Sequence, residues 1–63
     1  MRAGELYETS TGRLVKILAV DELAVFTFSG VIYTEAVAYQ YVDSGETHMR
    51  RADNTHLWVK VAP

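Results

Sequence analysis

His48 and His56 are the side chains of this sequence best suited to exchange a proton or bind a metal near neutral pH. With no cysteine present, thiolate nucleophiles and thiolate metal sites are excluded. Glu46 and His48 lie two apart, so on a strand they share a face and form a possible two-ligand pair. Asp53 and His56 flank a tight turn and form a second pair. A structural zinc site usually takes four ligands, so both pairs would have to meet at one point. Otherwise His48 is an exposed strand residue and His56 a turn residue hydrogen-bonded to Asp53. Asp43, Ser44 and His48 have the residue types of an orienter, a nucleophile and a base. They crowd one hairpin tip, however, and a working triad needs a rigid scaffold around an oxyanion hole. The sequence has no glycine-rich phosphate loop, no His-Glu-x-x-His, no Asp-rich calcium loop and no nucleophile elbow. The expectation is a protein that is not an enzyme, with no metal and no cofactor.

Binding chemistry is better represented. His48, Arg50 and Arg51 form a cationic cluster that Lys60 extends from a neighbouring strand, with Tyr39, Tyr41 and Trp58 as the aromatics able to lie beside it. A basic edge with stacking rings is how small barrels hold single-stranded nucleic acid. Against that, Arg50 and Arg51 could simply pair with Glu35 or Glu46 across a hairpin, each pair contributing well under about 1 kcal/mol. Tyrosine, tryptophan and arginine also concentrate at protein interfaces, because a large ring is buried while a polar end stays wet. The competing reading has Val37, Tyr39 and Tyr41 lining the core. The candidate binding surface is therefore Tyr39, Tyr41, His48, Arg50, Arg51, Trp58 and Lys60.

These residues must be held by strands. Val, Ile, Thr, Tyr, Phe and Trp are plentiful and turn residues recur every few positions. Glu5–Thr9 reads as an opening strand, Ser10-Thr11-Gly12 as its turn, and Arg13–Val20 as the next strand, closed by a turn at Asp21-Glu22. Leu23–Phe28 follows, then Ser29-Gly30 as a two-residue hairpin connection. Val31–Val42 could be a helix, but Val31, Tyr33, Val37, Tyr39 and Tyr41 alternate at period two and no clear N-cap begins a helical stripe, so strand is the reading. Thr34-Glu35 is a place where it could bend into two. Asp43-Ser44-Gly45 is a hairpin loop, Glu46–Arg51 its return strand, Ala52–Thr55 one turn of 3₁₀-helix, and Leu57–Ala62 the last strand.

Arg13–Val20 is apolar on both sides: Val15, Ile17 and Ala19 on one, Leu14, Leu18 and Val20 on the other. Either the sheet curls until both faces are covered, or one face is an interface. Five to six short strands with hairpin connections and a 3₁₀ turn before the last strand point to a small all-β, SH3-like antiparallel barrel over residues 1–63. An OB-like barrel comes next, and a three-stranded sheet with Val31–Val42 as a packed helix comes third. Gly4-x-x-Tyr7, Gly12 and Leu14-Val15-x-Ile17-Leu18, followed by Val37-Ala38-Tyr39-Gln40-Tyr41, Asp43-Ser44-Gly45, Met49-Arg50-Arg51 and Leu57, resemble a family of small uncharacterised bacterial and phage SH3-like domains. Arg51 stands where that family has proline, and Trp58 lies later than its aromatic. The resemblance implies the fold and no catalytic residues.

Size and charge narrow the partners. Sixty-three residues form one domain that buries only about 60% of its unfolded surface, so such a chain leans on tight packing or a second subunit. At 49% hydrophobic the chain is not disordered, and no apolar run reaches the roughly 18 residues that span a bilayer. The start has no signal-peptide h-region, which reads as a cytoplasmic protein of a bacterium or an infected host cell. The net charge of −2, with six basic and eight acidic residues spread along the chain, disfavours nucleic acid. The functional expectation is a self-associating protein-interaction module, of the kind a phage or mobile element uses to inhibit or redirect a host protein. The alternative is a small binder of RNA or single-stranded DNA.

Overall fold

Glycines at turn positions and β-branched runs between them produce strands at nearly every position where the composition favours them. The computed structural model describes residues 1–63 as β1 (Leu6–Glu8), β2 (Leu14–Thr27), β3 (Gly30–Tyr41), β4 (Thr47–Arg51), a 3₁₀ turn η1 (Ala52–Thr55) and β5 (Val59–Ala62). All five strands are antiparallel neighbours in one sheet of order β4-β3-β2-β1-β5. Thus the chain is all-β, the segment Val31–Val42 is strand as far as Tyr41 and not helix, and the Ala52–Thr55 turn falls where the sequence places it. The sheet is not closed: β4 and β5 are its two edges.

Two expected breaks are absent. Asp21-Glu22 makes no turn; β2 runs straight through it, with Asp21 opposite Ala36 and Glu22 opposite Glu35. Nor do Thr34-Glu35 bend β3. Acidic residues end a strand when their side chains would be buried, and here both Asp21 and Glu22 stand in solvent. The connecting residues between β2 and β3 are also one position earlier than expected. Thr27 pairs with Gly30, leaving Phe28 and Ser29 at the tip, and Gly30 takes the positive φ of 130°. At the next hairpin Gly45 does take the left-handed conformation, with φ 75°.

The register explains the doubly apolar β2. Ile17 pairs with Tyr39 and Ala19 with Ala38, so Leu18 is an extra residue in a bulge. A one-residue slip moves every later side chain to the other face. Val20, opposite Val37, therefore joins the face of Val15 and Ile17, and Ala19 leaves it. On that face Val15, Ile17, Val37 and Tyr39 form the core, packed against Tyr7, Val20, Tyr41, Ala52 and Trp58. The segment from η1 to Trp58 is the cover. Thr55, buried, donates its hydroxyl to the Ala52 carbonyl at 2.6 Å and holds η1 in shape. The opposite face has no cover and leaves Leu14, Met49 and Val59 exposed.

Only seven residues are buried. The accessible surface is 4481 Å², against about 4,100 Å² for a folded monomer of this mass. The radius of gyration is 12.7 Å, against about 11 Å for a compact chain of this length. The shape, 40 × 20 × 18 Å, shows where the excess lies. β1 leaves β2 after Lys16 and β4 leaves β3 after Ala36, so beyond those points β2 and β3 continue as a two-stranded ribbon.

Candidate functional site

Strand alternation gathers most of the expected binding residues. The pairs Tyr39–His48 and Val37–Arg50 put His48 and Arg50 on the core face of β4, beside the rings of β3. The imidazole of His48 stacks on Tyr39 at 5.9 Å between centroids and meets Tyr41 edge-on at 5.4 Å. Trp58 approaches Tyr39 edge-on at 4.9 Å, as Tyr41 does at 5.7 Å. The Arg50 guanidinium sits 5.3 Å from the Trp58 ring centroid and 5.7 Å from that of Tyr39, and donates to the Asn54 carbonyl at 3.2 Å. Arg13 lies over Tyr41 at 3.7 Å while paired to Asp43 at 3.0 Å, which holds the Asp43 carboxyl below its usual range. Arg13 was missed in the sequence because its partner stands thirty positions away.

The cluster is largely spent on itself. Tyr39 is 3% exposed, and burial pushes its phenol above the ordinary value. Tyr41 and Trp58 are half-buried, leaving His48 and Arg50 as the exposed members. The other two expected residues lie apart. Arg51 points its side chain to Asp53 at 3.1 Å, not to Glu35 or Glu46. Lys60 on β5 pairs with Glu5 at 2.7 Å. Glu5 also accepts from the Tyr7 hydroxyl at 3.2 Å and from the Arg2 backbone N–H. The hydrogen bond from Lys60, then that from Arg2, hold the Glu5 carboxyl at about 2.

The sequence's candidate chemistry does not converge. Glu46 and His48 do meet, at 3.2 Å. His56 turns its Nδ1 toward the backbone carbonyl of Asp53 at 3.3 Å, whereas the Asp53 carboxylate serves Arg51. No three of the His, Asp and Glu side chains gather at a point that could hold a metal ion. Asp43 is taken by Arg13, Ser44 Oγ accepts from the Glu46 backbone N–H at 3.3 Å, and His48 stands with Glu46, so these three do not form a relay.

The feature with most free surface is the β2–β3 ribbon, which we call the arm. Between Glu22 and Glu35 no residue is charged. On the side continuous with the core lie the cross-strand pairs Ala24–Tyr33 and Phe26–Val31; on the other lie Leu23–Thr34 and Val25–Ile32. Phe26 is 81% and Tyr33 71% exposed, Phe28 at the tip is fully exposed, and Leu23, Val31 and Ile32 are each about half exposed. A shallow hollow at the tip, lined by Phe26, Thr27 and Phe28, is too open to enclose a small molecule. Asp21, Glu22 and Glu35 form an acidic collar at the base, and no lysine or arginine lies between Lys16 and Arg50. The signal for this surface was legible: an uncharged apolar run on both sides of a hairpin connection. A break at Asp21-Glu22 disguised it by dividing the arm's first strand from the body. No helix is long and apolar enough to cross a membrane. No protein-family model, curated protein or solved structure matches the chain.

Proposed function

We propose that this chain is a non-enzymatic protein-interaction module on an SH3-like plan, and that the arm is its principal contact surface. The observation that carries the reading is the two-stranded ribbon with aromatic and aliphatic side chains exposed on both faces. An isolated two-stranded hairpin is marginal in water, and a chain gains nothing by presenting Phe26, Phe28 and Tyr33 to solvent unless something covers them. The SH3-like plan is supported by five antiparallel strands, the first four joined by hairpins, and by a 3₁₀ turn before the last strand. The exposed side of the cation–aromatic cluster, His48 and Arg50, lies at the opposite end of β3 from the tip and would serve as a secondary contact.

Nucleic acid is the weaker reading. Its stacking platform would have to come from Tyr39, Tyr41 and Trp58, whose faces and edges are already engaged with one another and with Arg13, Arg50 and His48. The arm is uncharged above an acidic collar, which repels phosphate.

The test is photo-crosslinking from the folded chain, with benzoylphenylalanine in place of Tyr33 and, separately, of His48. A protein adduct from position 33 that exceeds the one from position 48 supports the reading. Absence of any protein adduct from position 33 removes it. Salt-sensitive binding of labelled RNA or single-stranded DNA would put the alternative in its place.

A further inference from the structure

The identity of what covers the arm follows from its area, its charge and its symmetry. Building on the interaction reading, we propose that a second copy of this chain packs on the arm. In this two-fold dimer the arms lie antiparallel, with Phe26, Val31 and Tyr33 of each against the arm of the other.

The area fits. Phe26, Phe28, Val31 and Tyr33 share the core-side face and tip of the arm, and their exposed fractions correspond to roughly 600 Å² of surface. Two such patches give roughly 1,200 Å², the lower bound of a specific, stable interface. The excess of the whole chain over the surface of a compact monomer, about 400 Å², is of the same order and lies in the same place.

The charge selects the partner and its direction. An anionic partner, whether nucleic acid or an acidic lipid surface, meets Asp21, Glu22 and Glu35 and finds no cation on the arm. A strongly cationic partner would find its counter-charges only at the base, away from the exposed rings. A second copy needs neither, because twelve uncharged residues meet twelve uncharged residues. In the core-side face the rows run Glu22–Glu35, Ala24–Tyr33, Phe26–Val31 and then the tip. Antiparallel arms place the Phe26–Val31 row of one copy on the Ala24–Tyr33 row of the other, where the small Ala24 leaves room for a ring. The two Glu22–Glu35 pairs then stand at opposite ends of the interface, each at the rim beside the Phe28 tip of the other copy, where the carboxylates keep their access to water. Parallel arms would bring four carboxylates together, which a low-dielectric interface penalises. A two-fold axis through the patch also closes the assembly, so no open fibre results.

The experiment is sedimentation velocity of the full chain from micromolar to millimolar concentration, with the double substitution Phe26→Glu and Tyr33→Glu as comparison. Trp58 fluorescence, which reports the body and not the arm, checks that the variant is folded. The expected result is a mass of two chains for the native sequence. Two central aromatic anchors should account for at least about a hundredfold weakening of the dimer in the variant. If the variant does not fold, benzoylphenylalanine at position 33 decides the matter: its adduct should map to Leu23–Val31 of a second copy. A single-chain mass throughout overturns the proposal, as does a dimer that survives the double substitution. In the single-chain case, an adduct from position 33 to a different protein leaves the interaction reading standing. No adduct removes both, and co-sedimentation of the monomer with phosphatidylcholine vesicles assigns the arm to lipid instead.

Discussion

Replacing Val37 by alanine should remove a large part of the stability of this protein, whereas the same change at Val59 should remove little. Both residues are strand valines, and both substitutions delete two methyl groups. Val37 is fully buried at the centre of the sheet, between Val20 and Arg50 on its flanking strands. Val59 lies on the edge strand β5 and is 65% exposed. Each buried methyl contributes about 0.8 kcal/mol of transfer free energy, and the cavity left in a core of four residues adds to it. The loss at Val37 should be about 2–3 kcal/mol, and at Val59 about 0.5 kcal/mol. A domain of 63 residues has roughly 3–9 kcal/mol in total, so the first change removes about a fifth of it or more. Urea unfolding followed by Trp58 fluorescence is the assay, since that ring packs edge-on against Tyr39. With a slope of about 1 kcal/mol per molar, the midpoint of the Val37 variant should fall by about 2–3 M and that of the Val59 variant by about 0.5 M. Equal shifts would refute the location of the core. A changed slope would show that the substitution altered the states themselves and not their balance.

Further measurements test the remaining contacts. Glu5 has its folded pKa depressed to about 2 by Lys60 and Arg2, so the stability this adds is present above the ordinary carboxyl value of 4.5 and is lost as pH falls through 4.5 toward 2. Lys60→Met should move the Glu5 carboxyl titration, followed by carbon NMR, back toward 4.5 and flatten the acid limb of stability; an unmoved titration refutes the pair. Thr55→Val leaves the shape of the buried side chain but deletes its hydroxyl bond to Ala52, and should cost about 1 kcal/mol, or a Tm lower by about 4–8 °C. An unchanged Tm would mean that the hydroxyl does not hold the 3₁₀ turn. Arg50→Ala should shift the Trp58 emission and cost about 0.5–1 kcal/mol, because the guanidinium leaves both rings; Arg50→Lys should restore part of the loss. Equal loss from both would assign the effect to the Asn54 hydrogen bond instead.

Much of this molecule is legible along the chain. Alternation at Val37, Tyr39 and Tyr41 identifies a strand because side chains two apart share a face, and that relation needs no knowledge of the rest of the fold. The turn at Asp43-Ser44-Gly45 and the single 3₁₀ turn at Ala52–Thr55 are equally local, being set by a glycine free to take positive φ and by short polar side chains that bond their own backbone. The grouping of Tyr39, Tyr41, His48 and Arg50 follows from a hairpin register that the Gly45 turn fixes.

What tertiary structure alone decided is non-local. A bulge at Leu18 depends on which residues of β3 stand opposite, so the face that Val20 joins cannot be read from β2 by itself. Asp21-Glu22 has the composition of a turn, yet pairing with Glu35-Ala36 carries the strand through it, because twelve residue pairs of ladder outweigh a weak local preference. The partners of Arg13 and Lys60 were set by where loops and edges fell, and ion pairs that reach the surface contribute too little for sequence to encode them strongly. Whether the strands close or stay open depends on whether β4 and β5, separated by η1, come within reach of each other; in this chain they do not. The sheet therefore ends in two edges and a projecting arm.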